Sequence, residues 1–289
     1  MLDLSRVTLL FVETRAHGIT KRVIDDLTSK VNFGDILLYT DKPELIPVPG
    51  ARYELVPDFP NKKLAGQFYY GKAMEKVETD FALLLEWDAG IFDETKWRPE
   101  FFNYDYIGAP WQTTDDLKVG NGGFTLMSRN LGHFVCSHVD QFPVSTDWDF
   151  CRVQRPHYEA AGFKWPTRDL ASLFSWELGP RNPDHFGYHG AFNWPTVLPR
   201  EEVVERARIM IKSPYLTLKM KDLFRTATWL DKELTVSELA AYHAAVPPGY
   251  HLRPRIPGAI SPQQRAALQL MEVQRRGFVT RRQQTGLKA

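Results

Sequence analysis

The stretch Phe81-Ala-Leu-Leu-Leu-Glu86-Trp-Asp88-Ala-Gly90-Ile91 decides the reading of this 289-residue chain. Five apolar residues in succession predict a strand buried on both faces, as in the interior of a parallel sheet. Side chains two apart on a strand share a side, so Glu86 and Asp88 point the same way where the run ends. Open α/β sheets bind ligands outside the carboxyl ends of their strands. Neighbouring carboxylates repel unless a cation or a proton offsets them. The segment therefore predicts a divalent-cation site at the lip of a sheet. Solvated acids at a strand end are the plainer alternative.

Upstream, Val7–Val12, Asp35–Tyr39 and Tyr53–Val56 read as further strands, and helical patterns cover Ile19–Ser29 and Leu64–Val77. Strands alternating with helices predict an α/β fold with a mainly parallel sheet flanked by helices. Downstream, Tyr104–Pro110 reads as a short strand into a turn, and Gly120–Met127 as a glycine-rich turn followed by a strand. Ser128 is placed to cap a helix reaching about Val139. One further helix is expected over Asp147–Ala161, and 162–200 reads as loop-rich. The rest is helical: Pro199-Arg-Glu-Glu opens one helix, Thr235-Val-Ser-Glu238 is a capping box, and Ser261-Pro starts a last one. The organisation expected is a catalytic domain over 1–200 and a helical extension over 201–289.

Apolar content of 43% and aromatic content of 13% specify a packed core rather than a disordered chain. Net charge is +1, which excludes a polyelectrolyte. Charge is uneven, however: from His251 to Ala289 eight Lys/Arg stand against Glu272 alone. Such a tail is either a solvated helix face or a contact for an anionic partner such as nucleic acid or a membrane surface. Cys136 and Cys151 make neither a disulfide framework nor a zinc motif. No apolar run approaches the roughly 18 residues of a membrane span. A soluble cytoplasmic protein is expected.

Four further motifs carry possible chemistry. In Gly120-Asn121-Gly122-Gly123 the glycines let backbone approach a ligand, and Asn121 offers a donor and an acceptor. The run lacks the spacing of a P-loop or a Rossmann fingerprint, and a tight hairpin turn is its bland alternative. Asp147 and Asp149 sit two apart on a helix, so only one can face a given site. His189, in Gly187-Tyr-His-Gly190, offers an imidazole to a metal. Thr14, Arg15, His17, Thr40 and Asp41 follow the first two strands, where they would meet phosphate, ribose or base.

Taken in order, these motifs resemble a known family. They are Glu-x-Asp-x-Gly-Ile at 86–91, Tyr-Asp-Tyr-Ile-Gly-Ala-Pro-Trp at 104–111, Val-Gly-Asn-Gly-Gly-Phe-x-Leu-x-Ser-Arg at 119–129, Asp-x-x-x-Cys-Arg at 147–152, Phe-Ser-x-Glu at 174–177 and Phe-Gly-x-His-Gly at 186–190. The series is similar to a domain-of-unknown-function family regarded as glycosyltransferase-like, with a GT-A fold. The resemblance implies a nucleotide-sugar donor, a UDP-sugar first, with manganese or magnesium. It implies Asp88 as the principal metal ligand, Glu86 in the first carboxylate position as support, and His189 as the late ligand. Asn121, Gly122, Gly123 and Trp111 would face donor and acceptor. Asp147 would be the general base of an inverting enzyme. Asp149 competes for that role, because Thr146 stands where the family carries a second acid. The acceptor would be a hydroxyl of a glycan, a small molecule or a modified nucleobase in DNA. A metal-dependent phosphodiesterase or nuclease, and a non-catalytic carbohydrate- or nucleotide-binding module, are the competing readings.

Overall fold

A computed structural model describes residues 1–113 and 117–245. The basic tail and the expected helix start at Ser261 lie outside the described residues. The chain divides into two compact units, Met1–Asn193 and Trp194 onward.

The first unit is a mixed α/β domain. Its strands are β1 (Leu2–Glu13), β2 (Val31–Thr40), β3 (Arg52–Leu55), β4 (Phe81–Leu85), β5 (Gly90–Ile91), β6 (Tyr106–Ile107), β7 (Phe124–Ser128), β8 (Ser175–Trp176) and β9 (Gly187–Tyr188). Its helices are α1 (His17–Lys30), α2 (Lys62–Gly71), α3 (Arg129–Ser137), α4 (Arg155–Ala160) and α5 (Arg168–Phe174). Six strands form the main sheet in the order β3-β2-β1-β4-β7-β6. The pairs β3–β2, β2–β1 and β1–β4 are parallel, and β7 runs antiparallel to both β4 and β6. All five residues of β4 are buried, as an apolar run between two neighbours requires.

The antiparallel strand has a consequence for the site. Leu85 pairs with Phe11 on one side and Phe124 on the other. The chain therefore leaves β4 toward Glu86 at the same edge where it enters β7 from the glycine-rich turn. The backbone N–H of Glu86 donates to Gly123 O at 2.9 Å, extending the ladder into that turn.

One expectation is corrected and another filled in. No single helix covers Asp147–Ala161: a π-helical turn over Asp149–Val153 gives way at Gln154 to α4. Pro156, in the first turn of α4, has no N–H to donate back to the preceding turn, which interrupts the helical ladder there. The loop-rich stretch 162–200 carries short elements. It holds α5, capped by Thr167, and the two short strands β8 and β9, which join β5 in a second, three-stranded sheet.

The second unit is helical: α6 (Trp194–Val197), α7 (Arg200–Ile211), α8 (Pro214–Thr217), α9 (Met220–Thr226) and α10 (Val236–Ala245). The capping box is made, with Glu238 N on Thr235 Oγ1 at 3.2 Å and Thr235 N on Glu238 Oε2 at 2.7 Å. Arg206, buried on α7, lies over the Trp194 ring and donates to Glu202 at 2.8 Å. Among the described residues no helix is long and apolar enough to cross a membrane.

Candidate functional site

The second sheet assembles the site by register. Tyr188 pairs with Gly90 on one side and Trp176 on the other. One residue beyond β9 stands His189, and one beyond β8 stands Glu177. Asp88 stands two before β5, in the turn closed by Ala89 N donating to Glu86 O at 3.1 Å. The sheet thus sets the imidazole between the acidic turn and Glu177.

His189 Nε2 lies 3.3 Å from Asp88 Oδ1 and 3.8 Å from Glu86 Oε2, and its Nδ1 lies 3.1 Å from Glu177 Oε1. Asp88 and His189 are nearly buried, while the Glu86 side chain is half exposed. Asp88 Oδ2 accepts from Ala191 N at 3.2 Å. Burial opposes charge on His189, yet the negative charge of Asp88, with the facing Glu177 and Glu86 carboxylates, outweighs it and holds the imidazole pKa well above its ordinary value. Burial would likewise raise Asp88, but His189 and the Ala191 N–H hold it below the ordinary carboxylate value.

This set fits a divalent cation. One ligating atom each from Glu86, Asp88 and His189 lies within 4.8 Å of the others, the one such cluster of three among the described residues. Two ligands about 2.1 Å from a common ion stand roughly 3.0–3.4 Å apart at tetrahedral or octahedral angles. The His189–Asp88 spacing is already in that range, and Glu86 needs only a small side-chain adjustment. Buried Nε2 satisfies hydrogen-bond geometry with neither carboxylate. An imidazole with two carboxylates suits manganese, iron or zinc better than magnesium.

Gly123 lies directly beneath the ring: a Cβ there would stand 2.2 Å from His189 Nε2. One residue earlier, a Cβ on Gly122 would meet Tyr70 Oη at 2.0 Å and Asp147 Cβ at 3.3 Å. Consecutive glycines therefore seat the His189 cluster and Asp147 side by side. Burial raises the Asp147 pKa; bonds from the Trp148 and Gly122 N–H groups lower it, and the Glu86 and Glu177 charges add to the rise. Asp149 is turned elsewhere, accepting from Ser145 N and Oγ at 3.0 and 2.8 Å as a local cap.

Asn121 is nearly buried and works internally. Its Nδ2 donates to Glu177 Oε2 at 2.7 Å, and its Oδ1 accepts from Gly123 N at 3.0 Å. Trp111 stacks on Trp148 with centroids 5.6 Å apart, and Arg152 lies 4.3 Å over Trp148. The residues at the ends of β1 and β2 share the sheet edge, where each engages a nearby protein group. His17 Nε2 lies 2.7 Å from Asp41 Oδ1, Thr14 and Arg15 bond Asp58, and Thr40 Oγ1 accepts from Lys42 N. Three participants were not singled out in the sequence. Glu177 was signalled only as the last residue of Phe-Ser-x-Glu. Tyr69, whose hydroxyl donates to Gly122 O at 3.0 Å, and Tyr70 carried no signal.

Fold and site together define a mixed α/β protein with a carboxylate–histidine cluster at the carboxyl edge of its sheet. Residues 61–189 match the family described as "Protein of unknown function (DUF5672)". No curated protein matches the chain in sequence. Among solved structures it is similar to a glycosyltransferase involved in the glycosylation of the major capsid of PBCV-1, at 15% identity and a TM-score of 0.39, covering 63% of this chain and 91% of that one. It is also similar to the bifunctional IspDF of Campylobacter jejuni, at 10% identity and a TM-score of 0.35, covering 55% and 48%. TarS of S. aureus is similar at 10% identity and a TM-score of 0.31, covering 83% and 81%. These likenesses are loose, and what the site can do is read from its own atoms.

Proposed function

We propose that this protein is a metal-dependent glycosyltransferase that moves a sugar from a nucleoside-diphosphate donor, a UDP-sugar first, to a hydroxyl acceptor. One observation carries the reading: the Glu86–Asp88–His189 triangle and the desolvated carboxyl of Asp147 are set side by side by two consecutive glycines. Asp88 and His189 would hold a manganese ion, with Glu86 supporting. Bound there, the ion supplies Lewis-acid neutralisation of a diphosphate leaving group. In the transfer, the bond from the sugar's anomeric carbon to the diphosphate breaks and its electron pair leaves with the diphosphate. The acceptor oxygen bonds that carbon, and its proton passes to Asp147, whose raised pKa suits a general base better than an ordinary aspartate's. Free Cys136 and Cys151 fit a reducing, cytoplasmic setting.

The test is nucleoside-diphosphate release across a panel of nucleotide sugars with Mn²⁺ and simple glycan acceptors. Release from one donor, lost in Asp88→Asn, is the expected result. Phosphodiester cleavage in the absence of any sugar donor would overturn the reading in favour of a nuclease.

A further inference from the structure

Glu177 has no part in the chemistry proposed above, yet it touches both halves of the site. Its two carboxylate oxygens are used separately. Oε1 faces His189 Nδ1 at 3.1 Å and Oε2 takes Asn121 Nδ2 at 2.7 Å, while Asn121 Oδ1 takes the Gly123 N–H at 3.0 Å. Every direction in this chain is fixed. A backbone N–H can only donate, so Asn121 must present its oxygen to Gly123 and its amide nitrogen to Glu177. An ionised carboxylate can only accept, so Nδ1 of His189 must carry a proton. That leaves Nε2 as the ring atom available for coordination, facing Asp88 and Glu86. The side chain is 15% exposed, so water competes little for either oxygen. Asn193 Nδ2 donates to the Glu177 carbonyl at 2.9 Å and to the His189 carbonyl at 2.7 Å, which clamps the backbones of the two residues together.

We propose that Glu177 is a positioning residue: by accepting twice, it locks the His189 ring and the Asn121–Gly123 turn into one directional relay that aims Nε2 at the cation site. The inference rests on the metal-site reading above for its consequence, though not for its hydrogen-bond logic. A carboxylate is required because both neighbours donate. In Glu177→Gln the new amide puts a donor against one of them. In Asn121→Asp two carboxylates face each other. In the double variant the charge moves one residue along while every donor again meets an acceptor: the amide at 177 accepts from His189 and donates to the carboxylate at 121, which still accepts from Gly123 N.

The experiment uses the full chain and two readouts. In metal-free protein, each single replacement should lower the melting temperature and the double replacement should restore most of it. In Mn²⁺ titrations followed by electron paramagnetic resonance, Glu177→Gln should weaken binding roughly 10- to 100-fold, the usual cost of losing a hydrogen-bond partner behind a metal-ligating histidine, and the double variant should recover it. A residue that merely fills space would show no such rescue. The relay is overturned if Glu177→Gln melts and binds as wild type, or if the double variant is no better than the worse single one. Wild-type protein that takes up no Mn²⁺ would sink the metal reading instead, and the melting arm would still decide the relay.

Discussion

Replacing Gly123 by alanine is the most direct probe of the site, because it adds one methyl group against the imidazole. The added Cβ would stand 2.2, 2.3 and 2.4 Å from Nε2, Cδ2 and Cε1 of His189, where ordinary contact begins at 3.4 Å. The ring must retreat by about 1 Å. It cannot do so freely, since Nδ1 is held at Glu177 and the turn is tied to β4 through Glu86 N and Gly123 O. Coordination distances tolerate deviations of only about 0.2 Å, so a shift of that size takes Nε2 out of reach of an ion held by Asp88. Misplacements of about 1 Å at reacting centres cost on the order of 100-fold. Overpacking a filled site costs about 1–3 kcal/mol, or roughly 2–12 °C of melting temperature for a unit of this size. Calorimetric melting with Mn²⁺ titration should therefore show Gly123→Ala folded, modestly destabilised, and at least about 100-fold weaker for the ion. Wild-type affinity and melting temperature together would refute the close seating of the ring on the turn, and with it the geometry assigned to the site.

Asp147→Asn should reduce turnover by about 10²–10⁴-fold while leaving Mn²⁺ affinity within a few-fold, separating the base from the metal ligands in one pair of assays. Turnover should also fall as pH drops through a value above that of an ordinary aspartate, since burial raises this carboxyl. Buried His185 donates from Nδ1 to Gly187 O and accepts from Arg181 at Nε2, and burial brings its pKa down to about 4. The unfolded chain then binds the proton first, so stability should decline as pH falls from about 6.5 toward 4, and His185→Gln should flatten that slope in urea melts. Glu13 accepts from Arg15 N and Ala16 N, both at 2.6 Å, and from Thr20 Oγ1 at 3.2 Å, with burial raising its pKa. Glu13→Ala, which strands these donors, should cost about 1–3 kcal/mol at neutral pH. Glu13→Gln keeps an acceptor, and should stay within about 1 kcal/mol; a cost equal to that of alanine would show that the charge itself is needed.

Which features the sequence disclosed follows from the range of the interactions that make them. β1, β2, β4 and β7 announce themselves because burial on both faces demands apolar runs, and α3 and α10 because Ser128 and Thr235 satisfy donors only three residues away. The strands β5, β8 and β9 are two residues each, too short to show any period, and they exist only by pairing, Trp176 with Tyr188 nearby and Gly90 with Tyr188 from far along the chain. They nevertheless place Asp88, Glu177 and His189. Residue types thus nominated Glu86, Asp88 and His189, but their meeting was not legible from spacing. Asp149 illustrates the reverse case: a carboxylate of the right type is consumed by a local cap, which a pattern of acids does not distinguish from a free one. Asn121 is similar, since both ends of its amide are spent holding the turn.

The charges around His189 explain why these parts belong together. Glu86, Asp88 and Glu177 surround one imidazole, and Asp147 feels both glutamates. A protonated imidazole offsets only one of the three nearest carboxylates. A site built for stability alone would do better with a neutral pair, because a buried ion set rarely gains over apolar packing of equal volume. The excess of acid is economical only if something positive arrives there. A divalent ion replacing the Nε2 proton adds a net single charge at the centre of the three carboxylates, while the proton on Nδ1 stays with Glu177. Burial, the first cause of the raised Asp147 pKa, is untouched by that substitution, so the carboxyl keeps its affinity for a proton while the ion is bound. The ion would then serve the leaving-group side, and Asp147, held up by burial, the proton-accepting side, of one transfer reaction.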